Sequence, residues 1–121
     1  MESNNSSAAQ PALLLRLNDE IRGILAETPW QETGRNARTL AKYASFRIVL
    51  TALKQGSALE EHRAKGCLSI QMLEGRVRVT AGGEVLELAR GEIVALDHAV
   101  PHAVQALEDS IFLITMSFIE T

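Results

Sequence analysis

Residues able to do chemistry are few, and they fall in two short runs. One is Glu60-Glu61-His62-Arg63, with Cys67 a little further on; the other is Asp97-His98, with His102 beyond it. Imidazole both ligates metals and transfers protons near neutral pH, so these runs are where metal binding or acid–base catalysis would have to occur. On an extended strand alternate side chains share a face. Glu60 therefore lies on the side of His62, and Glu61 points away. Asp97 and His98 are neighbours, and in a strand they would face opposite sides. A carboxylate orienting an imidazole is not expected there, and the pair reads as a surface turn. The charged run around His62 reads as a solvated loop entering a strand, with His62 alone turned inward. Cys67 has no CxxC partner and no nucleophile motif around it, and it reads as a buried, inert thiol.

The elements that must position these residues belong to a chain of 121 residues, one domain of ordinary size. Apolar residues make up 46% and aromatics 4%, so the core must be built from Leu, Ile, Val and Ala. The formal charge is −3 and the basic residues are scattered. No basic face of the kind that displaces counterions from phosphates is expected, which argues against nucleic acid as a partner. A single cysteine excludes an internal disulfide and fits a reducing compartment. The start MESNNSS lacks the basic region of a signal peptide, and the run Leu13-Leu14-Leu15 is broken at once by Arg16. No stretch approaches the ~20 apolar residues of a membrane span, so a cytoplasmic protein with no membrane partner is expected.

Three regions are expected. Residues 1–12 are Ser, Asn, Ala, Gln and Pro and read as a disordered tail. Residues 13–36 read as a helical arm and loop. Leu14, Leu17, Ile21, Ile24 and Leu25 recur at helical spacing up to Thr28-Pro29, with Gly23 weakening the helix by ~1 kcal/mol relative to Ala. Gln31 to Asn36 reads as the loop. Residues 37–121 change to a period of two. Strand-forming runs at Thr39–Tyr43, Phe46–Leu53, Leu68–Leu73, Arg76–Ala81, Val85–Leu88, Ile93–Leu96, His102–Leu107 and Ile111–Phe118 are separated by turn signals. Gly82-Gly83 is a hairpin signal, since both residues can adopt φ > 0. Many short strands at regular spacing imply an all-β sandwich or barrel.

The segment from Gly56 to Ala106 resembles the two-part signature of the cupin superfamily. The first part opens on a glycine, here Gly56, and carries a histidine at His62 and a closing glycine at Gly75. The second histidine position of that part falls on Ala64 and its glutamate position on Leu68. The second part matches at Gly91 and His102. Asp97 and Ala99 stand where proline and glycine are usual, and Ala106 stands at the asparagine position. The resemblance implies a cupin-type antiparallel, jelly-roll-like β-barrel with a short N-terminal helical arm. It also implies that His62 and His102 face one another from different strands.

In such a barrel Leu68, Ile70, Met72 and Val104 would line a pocket with His62 and His102. Cys67 and Gln71, out of phase with Leu68, Ile70 and Met72, would point away. Family members use these histidine positions as metal ligands together with a second histidine and a glutamate, here Ala64 and Leu68. A metal-dependent enzyme, such as a dioxygenase or isomerase, with a divalent Fe, Mn, Ni or Zn on His62 and His102 and Glu60 or His98 as added donors, is therefore one expectation. A metal-free pocket for a small molecule, a small and partly apolar acid being the candidate, is the other, and it is the one favoured. A sensor role through a partner protein is a third, but the single N-terminal helix cannot form a helix-turn-helix. Arg35, Arg38 and Lys42 read as surface charge, and Trp30 and Tyr43 as packing against the barrel wall. A homodimer in which the N-terminal arm and first strands cover a sheet edge is also expected from the family.

Overall fold

A computed structural model describes residues 11–118. Of the expected disordered tail, all but Pro11 and Ala12 lie outside the described residues. Two helices, α1 (Leu17–Leu25) and α2 (Thr28–Thr33), precede nine strands. The strands are β1 (Arg35–Lys42), β2 (Phe46–Leu53), β3 (Ala58–His62), β4 (Leu68–Glu74), β5 (Arg76–Ala81), β6 (Glu84–Ala89), β7 (Ile93–Leu96), β8 (His102–Ala106) and β9 (Ser110–Ser117). They form two antiparallel sheets, one ordered β1-β2-β9-β4-β7 and the other β3-β8-β5-β6. Among the described residues no helix is long and apolar enough to cross a membrane.

Period-two alternation decides which side chains enter the barrel. On β5, Val77, Val79 and Ala81 are buried while Arg76 and Thr80 are exposed. They meet Leu53, Met72, Leu88, Val104, Ala106 and Phe112 in a single apolar core between the sheets. Gly82 and Gly83 turn β5 into β6 with φ of 56° and 85°, as a primed hairpin turn requires. Gly75 joins β4 to β5 at φ 82°, where an added Cβ would lie 2.2 Å from the carbonyl oxygen of Asp109. Beside it the buried Ser110 hydroxyl accepts the Arg76 N–H at 3.1 Å and seals that end of the barrel.

The outer face of the larger sheet has its own small core. Ile24 of α1 is fully buried against Leu40, Leu50, Ala52 and Ile111, with Leu17, Ile21, Leu25 and Trp30 around it. Trp30 thus packs on the wall as its sequence context suggests, and Lys54 Nζ sits 5.2 Å from its ring centroid. Arg38 ties helix to sheet, donating to Glu20 at 2.8 Å and to Glu27 at 2.6 Å. Gly23 makes room for it: a Cβ there would lie 2.8 Å from the guanidinium.

Several boundaries differ from the sequence reading. The helix begins at Leu17, and Leu14 before it is 76% exposed. Gln31 to Asn36 is not a loop. Pro29 stands in the first turn of α2, where its missing N–H costs nothing, Gly34 ends that helix at φ 76°, and β1 starts at once. The charged run Glu60-Glu61-His62 lies within β3. Cys67 is exposed, not buried, because Leu68 takes the inward position next to it; its Sγ lies 3.7 Å from Asp97 Oδ1.

Candidate functional site

The inward-facing row of each strand changes character along its length. On β2 it runs Leu53, Thr51, Val49, Arg47; on β9, paired with it, Phe112, Ile114 and Met116 lead to Phe118 beyond the strand's end. On β4 it runs Met72, Ile70, Leu68, and on β8 Ala106, Val104, His102. The first members of these rows pack solidly. The last surround a cavity of about 340 Å³, walled by Val49, Leu59, Leu68, Ile70, Val104, Ile114 and Met116 and rimmed by polar groups.

His62 and His102 stand at its edge as direct partners across the β3–β8 pair, beyond an irregularity that follows Leu59. Their ring centroids are 4.3 Å apart and the planes tilt by 59°. His62 Nδ1 lies 2.9 Å from the carbonyl oxygen of Glu60, and His102 Nδ1 lies 3.0 Å from that of Val100. A carbonyl can only accept, so each Nδ1 donates its N–H, and in the neutral ring Nε2 is left to accept a hydrogen bond or bind a metal. His102 is 4% exposed, whereas His62 faces solvent on one side. The turn leading to His102 is strained. Ala99, in the position where the family usually has glycine, adopts φ 60°, the one non-glycine positive φ among the described residues.

The structure brings Ala64 and Leu68 to the same cavity as the two histidines. The four positions that the sequence resemblance pairs with ligand positions therefore converge, and two of them carry hydrocarbon. Ile70 and Val104 line the cavity as well. Met72, one pair of residues deeper on β4, lies in the closed core and is 1% exposed. Glu60 borders a separate cleft shared with Arg35, Thr51 and His62. His98 is exposed in the turn after β7, where its N–H donates to the Asp97 carboxylate. Among the described residues no three His, Cys, Asp or Glu side chains converge. Two imidazoles fall short of the three protein donors of a catalytic zinc or the two histidines and carboxylate of a non-haem iron site.

Arg47 is the site residue that sequence reasoning missed. Its alternation with Val49, Thr51 and Leu53 turns it inward, and its guanidinium stacks over Phe118 at 4.8 Å. Its Nε is buried without a hydrogen-bond partner. Arg63 and Lys65 border the same cavity, and among the described residues no acidic side chain lines it. The basic residues singled out from sequence lie elsewhere: Arg38 is held by two glutamates, and Arg35 donates to the carbonyl of Ala58.

No family model matches the chain, and no curated protein matches it by sequence. Solved structures do match. A cupin superfamily protein from Desulfitobacterium hafniense superposes with TM-score 0.70 at 17% identity, covering 73% of this chain and 81% of its own. The chain has the cupin fold. KdgF from a Halomonas species is similar to this cupin barrel with TM-score 0.66 and 23% identity, over 74% of this chain and 83% of KdgF. Salicylate 1,2-dioxygenase from Pseudoaminobacter salicylatoxidans matches at 0.76 and 17% identity; the match takes in 85% of this chain and 32% of the dioxygenase. At such identities the likeness lies in the fold, and one fold carries many activities.

Proposed function

We propose that this cupin binds a small organic molecule in the cavity bounded by His62 and His102. The carrying observation is the replacement of ligand positions by Ala64 and Leu68, both of which line the cavity. That exchange turns a ligating cage into a mostly apolar pocket with a few convergent polar groups, the usual make-up of small-molecule sites. Its 340 Å³ is at the small end of the roughly 300–1,000 Å³ of such sites. The test is amide chemical-shift mapping with a fragment library. Fragments should perturb Ile70, Val104 and Ile114 together. Shifts confined to residues outside that cavity would refute the reading.

A metal-dependent enzyme is the second reading, and one observation favours it. Both histidines donate Nδ1–H to a backbone carbonyl, the arrangement that fixes metal-binding imidazoles. The protein donors present are nevertheless too few, so a bound divalent metal would need water or substrate to complete its shell. Elemental analysis of protein purified without chelator decides this. About one equivalent of metal, lost in the His62→Ala, His102→Ala double variant, would establish it; none in either protein would dismiss it.

For assembly we infer a homodimer. β1 is an edge strand whose Arg35, Ala37 and Thr39 are exposed, and such edges invite pairing. Light scattering should give twice the chain mass at micromolar concentration; a monomer would refute it.

A further inference from the structure

Resting on the small-molecule reading above, we propose that the cavity selects a small organic monocarboxylate, its carboxylate paired with Arg47 and its apolar body on the hydrocarbon wall. A buried guanidinium N–H without a partner is unfavourable, because water has been removed and nothing replaces it. Arg47 Nε is such a group, and it is the one buried side-chain N or O atom left unpartnered among the described residues. The guanidinium carbon lies 4.8 Å from the Phe118 ring centroid, and Arg47 borders the cavity. A guanidinium is a planar fork of N–H donors that matches a carboxylate in a two-point contact.

The surroundings select the sign of the charge and the nature of the body. Arg47, Arg63 and Lys65 all border the cavity, and among the described residues no carboxylate does. Among the described residues neither Arg63 nor Lys65 forms an ion pair, so the mouth is positive overall. A cationic ligand would be repelled, and a neutral one could accept a hydrogen bond from Arg47 but would leave its charge unpaired. A compact inorganic anion would satisfy Arg47 but leave the walls formed by Val49, Ile70 and Ile114 against water. The volume, about 340 Å³, is on the order of ten water molecules at about 30 Å³ each. This limits the ligand to on the order of ten non-hydrogen atoms.

The test is calorimetric titration of the wild-type chain with benzoate, benzamide and inorganic phosphate, and of Arg47→Gln and Arg47→Lys with benzoate and benzamide. Benzoate should bind at least tenfold more tightly than benzamide or phosphate. Arg47→Gln should lose that preference by weakening benzoate at least tenfold while leaving benzamide unchanged. Arg47→Lys, which keeps the charge and guards against a folding artefact, should retain a reduced preference. Equal binding of benzoate and benzamide, or unchanged benzoate affinity in Arg47→Gln, would overturn the carboxylate assignment while leaving the small-molecule reading standing. Phosphate binding as tightly as benzoate would overturn the apolar-body assignment. No binding of benzoate or benzamide at millimolar concentration, together with no fragment shifts at Ile70, Val104 and Ile114, would overturn both.

Discussion

The same strands build two different ends of this barrel. At one end Leu53, Met72, Ala106 and Phe112 are at most 2% exposed and meet across the two sheets. At the other end their strand-mates Arg47, Leu68, His102 and Met116 stand around a cavity. Close packing at the first end gives a rigid frame in which loss of even a methylene is felt. The second end carries features that a stability-driven sequence would avoid. They are an unpartnered Arg47 Nε, a non-glycine residue at φ 60°, and two histidine rings with centroids 4.3 Å apart. Local sacrifices of stability gathered at one end of a fold mark function better than any single residue does.

Truncation at the closed end should have the largest effect. Phe112→Ala is expected to cost about 3–5 kcal/mol, because the aromatic ring is fully buried and its neighbours cannot collapse into the void. Ile114→Ala, one inward position along β9 and already beside the cavity, should cost clearly less. Urea unfolding of both variants measures the difference, and equal losses would erase the distinction between the ends.

Arg47→Met sharpens the contrast from the other side. Removing an unsatisfied buried donor recovers about 1–3 kcal/mol, and losing the contact with Phe118 returns about 0.5–1 kcal/mol. Unfolding free energy should therefore stay level or rise while carboxylate binding is lost, a trade of stability against function. A loss above about 2 kcal/mol, the size typical of removing a core anchor, would show that Arg47 serves the fold.

Ala99→Gly should stabilise by up to about 1 kcal/mol. It relieves the left-handed strain of about 1–2 kcal/mol, less the added freedom glycine brings to the unfolded chain. A lower melting temperature would mean that the Ala99 side chain contributes packing that outweighs the strain.

The smallest effect lies outside both ends. Hydrogen bonds from Asn36 and then from Arg38 hold the Glu27 carboxyl below its ordinary value of 4.5. A carboxyl whose folded pKa is depressed contributes stability above the unfolded value, and that contribution is lost as pH falls through the folded one. Glu27→Gln should thus be less stable than wild type at pH 7, and the gap should close as the medium is made more acid than pH 4.5. A gap independent of pH would place the effect in packing.

How far the sequence could be read follows the same division. Strands whose inner faces are hydrocarbon, such as Arg76–Ala81 and Ile93–Leu96, coincide with their sequence assignments because burial enforces period two. The hairpin at Gly82-Gly83 was legible for the same kind of reason, since turn sterics are local. Arg47 was not found, although the alternation through Val49, Thr51 and Leu53 carried the signal. A charged residue at a strand end is ordinarily solvated, and only the packed structure reveals the missing partner. Cys67 shows the opposite case. Its residue type suggested burial, but its phase against Leu68 already pointed outward, and phase prevailed. β1 was read short, its first residues taken for loop, because Arg35 and Ala37 are exposed and leave no apolar pattern to read.

The central claim is that the histidine end holds a ligand-sized cavity, and the unfolding free energy of Ile114→Phe tests it most directly. A larger side chain forced into a packed core costs about 1–3 kcal/mol. The cavity account predicts that Ile114→Phe is as stable as wild type or more so, and that fragments no longer shift Ile70 and Val104. A loss of stability in that overpacking range, with fragment shifts unchanged, would contradict it.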